Sequence, residues 1–136
     1  MRKAIILSAL IILLVGGCAS APRRSGPGEY SIVVNASKDA VYNAALEHFS
    51  YTTDFITSAS SKEKGVIDVT GQRDENTRYD MTIYLTPKKY GKTTMSIVII
   101  EYKREGGSYK IVPNESRLIE YAKGTLKRIK RIAEEK

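Results

Sequence analysis

The chain is 136 residues long, 42% hydrophobic and 27% charged, with a formal net charge of +7. That length holds one domain with a continuous core and is too short for two ordinary ones, and the composition excludes a disordered chain. The single cysteine excludes an intramolecular disulfide and any multi-cysteine metal cluster. Without Arg2 and Lys3 the charge is +5, an excess that suits anionic headgroups or acidic polymers and, equally, a plain solvated surface.

The chain opens with Arg2 and Lys3, followed over residues 4–15 by Ala, Ile, Leu and Val interrupted only by Ser8. A spanning helix needs about 20 apolar residues, so this run is too short for a permanent anchor and has the layout of an export signal. It ends in Val15-Gly16-Gly17-Cys18, which resembles the lipobox of bacterial lipoproteins. The two glycines break the apolar helix and expose backbone to a peptidase, and the Cys18 thiol is the nucleophile. The resemblance implies a diacylglyceryl group on Cys18, cleavage before it and further acylation of the new amine. At about 0.8 kcal/mol per buried methylene, two or three chains hold a protein where one does so only marginally. An ordinary secretory signal cut after Ala19-Ser20-Ala21 is the competing reading, and Pro22 opposes it. Ala19 is not the aspartate that retains enterobacterial lipoproteins in the inner membrane, so the expected location is the outer membrane, facing the periplasm. The expected division is a signal peptide over 1–17, the lipidated cysteine and a flexible tether over 18–28, and a folded domain over 29–136. Small, Pro and Gly residues with no apolar periodicity mark the tether, in which Arg23 and Arg24 would lie close to the headgroups.

In the domain, β-branched residues over 30–34 predict a strand, and Asn35-Ala36-Ser37 turns the chain. With Ser37 as N-cap and Asp39 in the first turn, Val41, Ala44, Ala45, His48 and Phe49 recur at helical spacing, widened by Tyr42 and Leu46. The period then becomes two. Strands are expected over 55–59 and 66–70 around Lys62-Glu63-Lys64-Gly65, and over 78–86 with Tyr79, Met81, Ile83 and Leu85 facing the core. A long strand over 93–103 is apolar on both faces, Met95, Ile97 and Ile99 on one and Val98, Ile100 and Tyr102 on the other. Residues 109–112 are a further extended piece. Pro113 and Asn114 open a last helix running to about Glu134, with Leu118, Ile119, Ala122, Leu126, Ile129, Ile132 and Ala133 on one side and Lys123, Lys127, Lys130 and Arg131 on the other. Gly124 within it reads as a close approach of helix and sheet or as a tolerated imperfection. The order predicts an α+β fold, β-α-β-β-β-β-α, an antiparallel sheet with two helices packed on one face.

The lipobox, the short tether, the helix start from Ser37 to Ala45, the strand opening at Gly65-Val66-Ile67 and the long last helix resemble small bacterial lipoproteins with a single helix-grip domain, BamC-like in architecture. BamC carries two such domains behind a long N-terminal segment, so the resemblance implies the fold and the anchor rather than a place in barrel assembly.

Chemistry is sparsely signalled. His48, the only histidine, has no catalytic or metal partner marked by spacing and is expected to be a partly buried structural residue. Asp68, Asp80 and Glu101 on strands are read as surface carboxylates of alternating strands, and Gly106-Gly107 as a turn rather than a phosphate loop. No catalytic residue, metal or cofactor is expected beyond the covalent lipid on Cys18, and an exported chain excludes nucleic acid. Tyr84, Val98, Ile100 and Tyr102 form a candidate partner-binding face unless the strand over 30–34, residues 109–112 or sheet curvature cover it. Lys123, Lys127, Lys130 and Arg131 form a candidate basic face for headgroups, glycan or acidic protein, or simply a solvated helix. The expectation is a non-enzymatic, lipid-anchored interaction or accessory module whose partner is another envelope protein. The alternative is a carrier whose cavity, between last helix and sheet and lined by Met81, Ile83, Met95 and Ile97, holds a small lipophilic molecule.

Overall fold

A computed structural model describes residues 30–112 and 115–136. The expected leader, Val15-Gly16-Gly17-Cys18, the expected tether and the helix start expected at Pro113-Asn114 all lie outside the described residues. In order the elements are β1 (Tyr30–Val34), α1 (Lys38–Ser50), β2 (Phe55–Ser61), β3 (Val66–Asp74), β4 (Thr77–Pro87), β5 (Thr93–Glu105), β6 (Ser108–Ile111) and α2 (Glu115–Glu134). Of the extended piece expected over 109–112, residues 109–111 thus belong to a sixth strand that begins at Ser108, and Val112 lies beyond it. The sheet is antiparallel in the order β1-β5-β4-β3-β2, with β6 also on β5. β1 pairs with Thr93 to Ile97 and β6 with Tyr102 to Glu105, so the two share one edge of β5 in tandem.

Local chemistry places the elements where the pattern put them. Ser37 caps α1, its Oγ accepting from the Ala40 N–H at 3.2 Å, which satisfies a helix-end donor that would otherwise lack a partner. The β2–β3 turn closes at Gly65, whose φ of +64° is cheap only without a side chain. A Cβ there would lie 2.5 Å from the Leu85 carbonyl oxygen, while the Gly65 carbonyl accepts from the Leu85 N–H at 2.7 Å. Alternation on β3, β4 and β5 sends Ile67, Val69, Met81, Ile83, Leu85, Met95, Ile97 and Ile99 to one face, where all are buried. Both helices cover that face. α1 contributes Val41, Tyr42, Ala44, Ala45 and Phe49, and α2 contributes Leu118, Ala122, Leu126, Ile129 and Ala133. Among the described residues this set forms one hydrophobic cluster shared by the sheet and both helices.

The sheet has two distinct ends. One gathers the β4–β5 connection, the β2–β3 turn and the start of α1, tied by Lys38 Nζ donating to the Glu63 carbonyl at 2.9 Å and by the Lys62–Asp39 ion pair at 3.2 Å. The other gathers the β3–β4 and β5–β6 turns, the end of α1 and the start of α2. There the Gln72 N–H donates to the Asp54 carbonyl and the Arg104 N–H to that of Asn76. Among the described residues no helix is long and apolar enough to cross a membrane.

Gly124 does not mark a close approach: a Cβ added there meets no atom within 4 Å. The helix touches the sheet through Leu118, Ala122, Leu126 and Ile129, and Gly124 points between contacts.

Candidate functional site

At the second end the first turns of α2 stand away from the sheet and leave a cavity of about 420 Å³, within the few-hundred-Å³ range of small-molecule sites. Met81, Ile99 and Leu118 form its apolar floor, Phe55, Tyr79 and Tyr121 its aromatic wall, and Asp54, Gln72, Arg73 and Arg117 its polar edge. The wall is built from three elements. Phe55 opens β2 directly opposite Gly71 of β3, and a Cβ on Gly71 would fall 2.2 Å from the Phe55 ring, so the glycine lets the ring lie against the sheet. From there Phe55 meets Tyr79 at 6.3 Å and Tyr121 at 5.7 Å between ring centroids, within the range of favourable aromatic pairs.

Beside the cavity stands the one buried carboxylate among the described residues. Glu101 is 1% exposed, and its Oε2 accepts a hydrogen bond from Arg117 Nη2 in an ion pair. The same nitrogen lies 3.4 Å from Tyr79 Oη as donor. The Glu101 hydrogen bond holds the Arg117 guanidinium above its usual pKa, with the Tyr79 and Glu101 charges adding to it against some desolvation. The reading of Glu101 as a surface carboxylate is therefore corrected. It continues the Met95-Ile97-Ile99 face inward, and Arg117, reaching in from α2, supplies the charge that makes burial tolerable. Burial raises the Tyr121 phenol above its usual pKa, partly opposed by its hydrogen bond to Thr125.

Of the four residues expected to line a carrier cavity, Met81 does so. Ile83, Met95 and Ile97 are fully covered in the closed part of the core, because the cavity sits nearer the start of α2 than its middle. Phe55, Ile99, Arg117, Leu118 and Tyr121 replace them.

Tyr84, Val98, Ile100 and Tyr102 do share the helix-free face, and all four are half-buried rather than exposed. Cross-strand neighbours cover them: Ile100 lies opposite Asp80 and Val98 opposite Thr82. The Arg78 guanidinium lies 6.0 Å from the Tyr102 ring centroid while pairing with Asp80, and β6 flanks Tyr102 through Ile111. Asp68, on the same face, accepts from the Thr82 hydroxyl at 2.8 Å. On α2 the basic residues are largely engaged within the molecule. Lys123 pairs with Glu120 and sits 5.6 Å from the Tyr30 ring centroid, Lys130 donates to the Val33 carbonyl at 3.2 Å, and Arg131 faces Glu135 at 4.0 Å. Lys127 is exposed.

His48 is half-buried with its ring edge-on to Phe49 at 4.9 Å. Burial, then the nearby Arg128 charge, lowers its pKa. Among the described residues no group of three His, Cys, Asp or Glu could hold a metal ion.

No family model matches the chain, and no curated protein matches it. Solved structures do. The di-domain ARO/CYC BexL from the BE-7585A biosynthetic pathway matches over 78% of this chain with a TM-score of 0.52 at 13% identity, and this chain spans 45% of its length. Ara h 8.0201 matches over 79% of this chain and 97% of its own, with a TM-score of 0.53 at 10% identity. The fold is helix-grip-like. At these identities the likeness is one of architecture, a curved antiparallel sheet grasping a long terminal helix, and transfers neither activity nor ligand.

Proposed function

We propose that the chain is a lipid-anchored protein of the bacterial envelope, held through Cys18 at the outer membrane facing the periplasm, whose domain binds a small lipophilic molecule without transforming it. The observation that carries this reading is the cavity of about 420 Å³ between α2 and the sheet. Its apolar floor and aromatic wall suit a hydrocarbon or ring system, and the Arg117 donors and Tyr79 and Tyr121 hydroxyls at its edge suit a polar head. The lack of transformation is argued from Glu101. A carboxylate that is 1% exposed and whose Oε2 already accepts from the Arg117 guanidinium is poorly placed to reach a substrate proton as a general base.

The Tyr84, Val98, Ile100 and Tyr102 face supports a second reading, the interaction module with another envelope protein as partner, because neither helix covers that side of the sheet. Its half-buried state makes it a weaker patch than freely exposed side chains would be.

Mass spectrometry of the protein extracted from native membranes tests anchor and cargo together. The expected species starts at Cys18, carries acyl chains there and retains a lipophilic molecule. Leu118→Phe, which fills the cavity, should lower affinity for an apolar naphthylamine fluorophore at least tenfold while the domain stays folded. An unmodified cysteine would remove the anchor from this reading, and unchanged probe binding would remove the cavity.

A further inference from the structure

The end of the sheet opposite the cavity carries a feature that the carrier reading does not use. The β4–β5 connection reads Lys88-Lys89-Tyr90-Gly91-Lys92. Tyr90 is 93% exposed and adopts φ 61° and ψ 35°, a left-handed conformation that is rare and costly for a bulky residue. Gly91 follows with φ 67°. Glycine or asparagine would turn the chain here more cheaply, and a side chain this exposed adds nothing to the core. Strain combined with a large outward-pointing aromatic residue points away from folding and toward function.

The surroundings supply the chemistry. Lys88, Lys89 and Lys92 are exposed, and among the described residues none of them forms an ion pair. The adjacent β2–β3 turn and α1 start add Lys38, Lys62 and Lys64 beside Asp39 and Glu63, and the end of α2, where Glu134 accepts from the Asn35 N–H, brings Lys130, Arg131 and Lys136 beside Glu134 and Glu135. At the cavity end the charges interleave, with Arg73, Arg78, Lys103, Arg104 and Arg117 among Asp54, Asp74, Glu75, Glu101, Glu105 and Glu120. The loop is also held stiffly. It joins the long paired strands β4 and β5, and the Lys88 N–H donates to the Lys92 carbonyl at 2.8 Å.

We propose that this loop is a membrane-contact surface that docks on an anionic phospholipid bilayer. The lysines meet headgroup phosphates, and the Tyr90 ring enters the interfacial region, where an apolar ring with a polar tip is most favourable. The stiff hairpin holds ring and ammonium groups on one outward end, so little ordering is lost on contact. The surface does not depend on the Cys18 lipid or on the cavity. It adds a second, salt-sensitive attachment that fixes which way the domain faces.

Sedimentation with phospholipid vesicles tests it, using residues 30–136, which leave out Cys18 and everything before it and whose cooperative unfolding in urea is verified first. Binding is expected to vesicles of phosphatidylcholine containing about one-third phosphatidylglycerol, and to weaken sharply with salt. Each lysine near an anionic surface contributes roughly fivefold, so a K88Q/K89Q/K92Q variant should bind about a hundredfold more weakly. Y90S should weaken binding severalfold while raising or preserving the unfolding midpoint. A K123Q/K127Q control on α2 should bind like the parent domain. The proposal is overturned if the parent does not distinguish anionic from pure phosphatidylcholine vesicles, if the triple variant binds undiminished, or if the α2 variant is the one that lets go. Circular dichroism establishes that each variant is folded.

Discussion

Glu101 and Arg117 show how one pair can shape a site while adding little net stability. A buried carboxylate costs several kcal/mol in lost hydration, and the guanidinium restores most of it through charge and hydrogen bonding. Because Arg117 remains 44% exposed, water shares in that compensation, and its removal should cost less than for a fully buried pair. Arg117→Met is expected to destabilise the domain by about 2 kcal/mol, read from urea denaturation. The double variant Glu101→Leu with Arg117→Met should recover most of the loss, since it leaves no orphaned charge. A single variant as stable as the parent would show the pair to be incidental. The placement of Glu101 was available in the sequence through strand parity with Met95, Ile97 and Ile99. Its partner was not, because Arg117 lies on another element and nothing in linear spacing links a strand carboxylate to the first turns of a distant helix.

At the scale of elements, α2 combines a well-packed second half with a first half that roofs a cavity. Gly124 lies between these halves with open space where its Cβ would be, and a helix-interior glycine costs about 1 kcal/mol relative to alanine. Gly124→Ala should therefore stabilise the domain by about 0.5 to 1 kcal/mol, raising the urea midpoint. Unchanged or lowered stability would mean that the helix needs a flexible joint there. The strands β3, β4 and β5 were legible because alternation and turn residues agree over long stretches. β6 was harder: all four of its residues are exposed, so no buried face imposed a pattern and only an extended tendency remained. The cavity was legible in kind but not in place. Met81 sits on the right face, but how far α2 stands off the sheet depends on Phe55, Tyr79 and Tyr121 packing together from three separate elements.

For the molecule as a whole, the response to acid should pass through its only histidine. Burial and Arg128 lower the His48 pKa in the folded domain, whereas an unfolded chain titrates near 6.5. The unfolded state then binds the proton more readily. This contribution to stability is full above about pH 6.5 and is lost as the pH falls from there toward the lowered folded value. The urea midpoint should drop between about pH 7.5 and pH 5.5, and His48→Gln should flatten that drop. An identical drop in the variant would assign it to another group.

The distance between the two ends of the sheet has its own consequence. Strand β4 runs from the Arg73–Thr77 hairpin beside the cavity mouth to the lysine-rich connection, and its eleven residues at about 3.4 Å each span on the order of 35 Å. A bilayer met by the lysine end would leave the mouth of the cavity roughly one hydrocarbon-core thickness above the headgroups. A molecule could not slide from that leaflet into the domain. It would have to cross water or be handed over from the far side, and a domain so docked would be a receiver standing on one surface and open toward another.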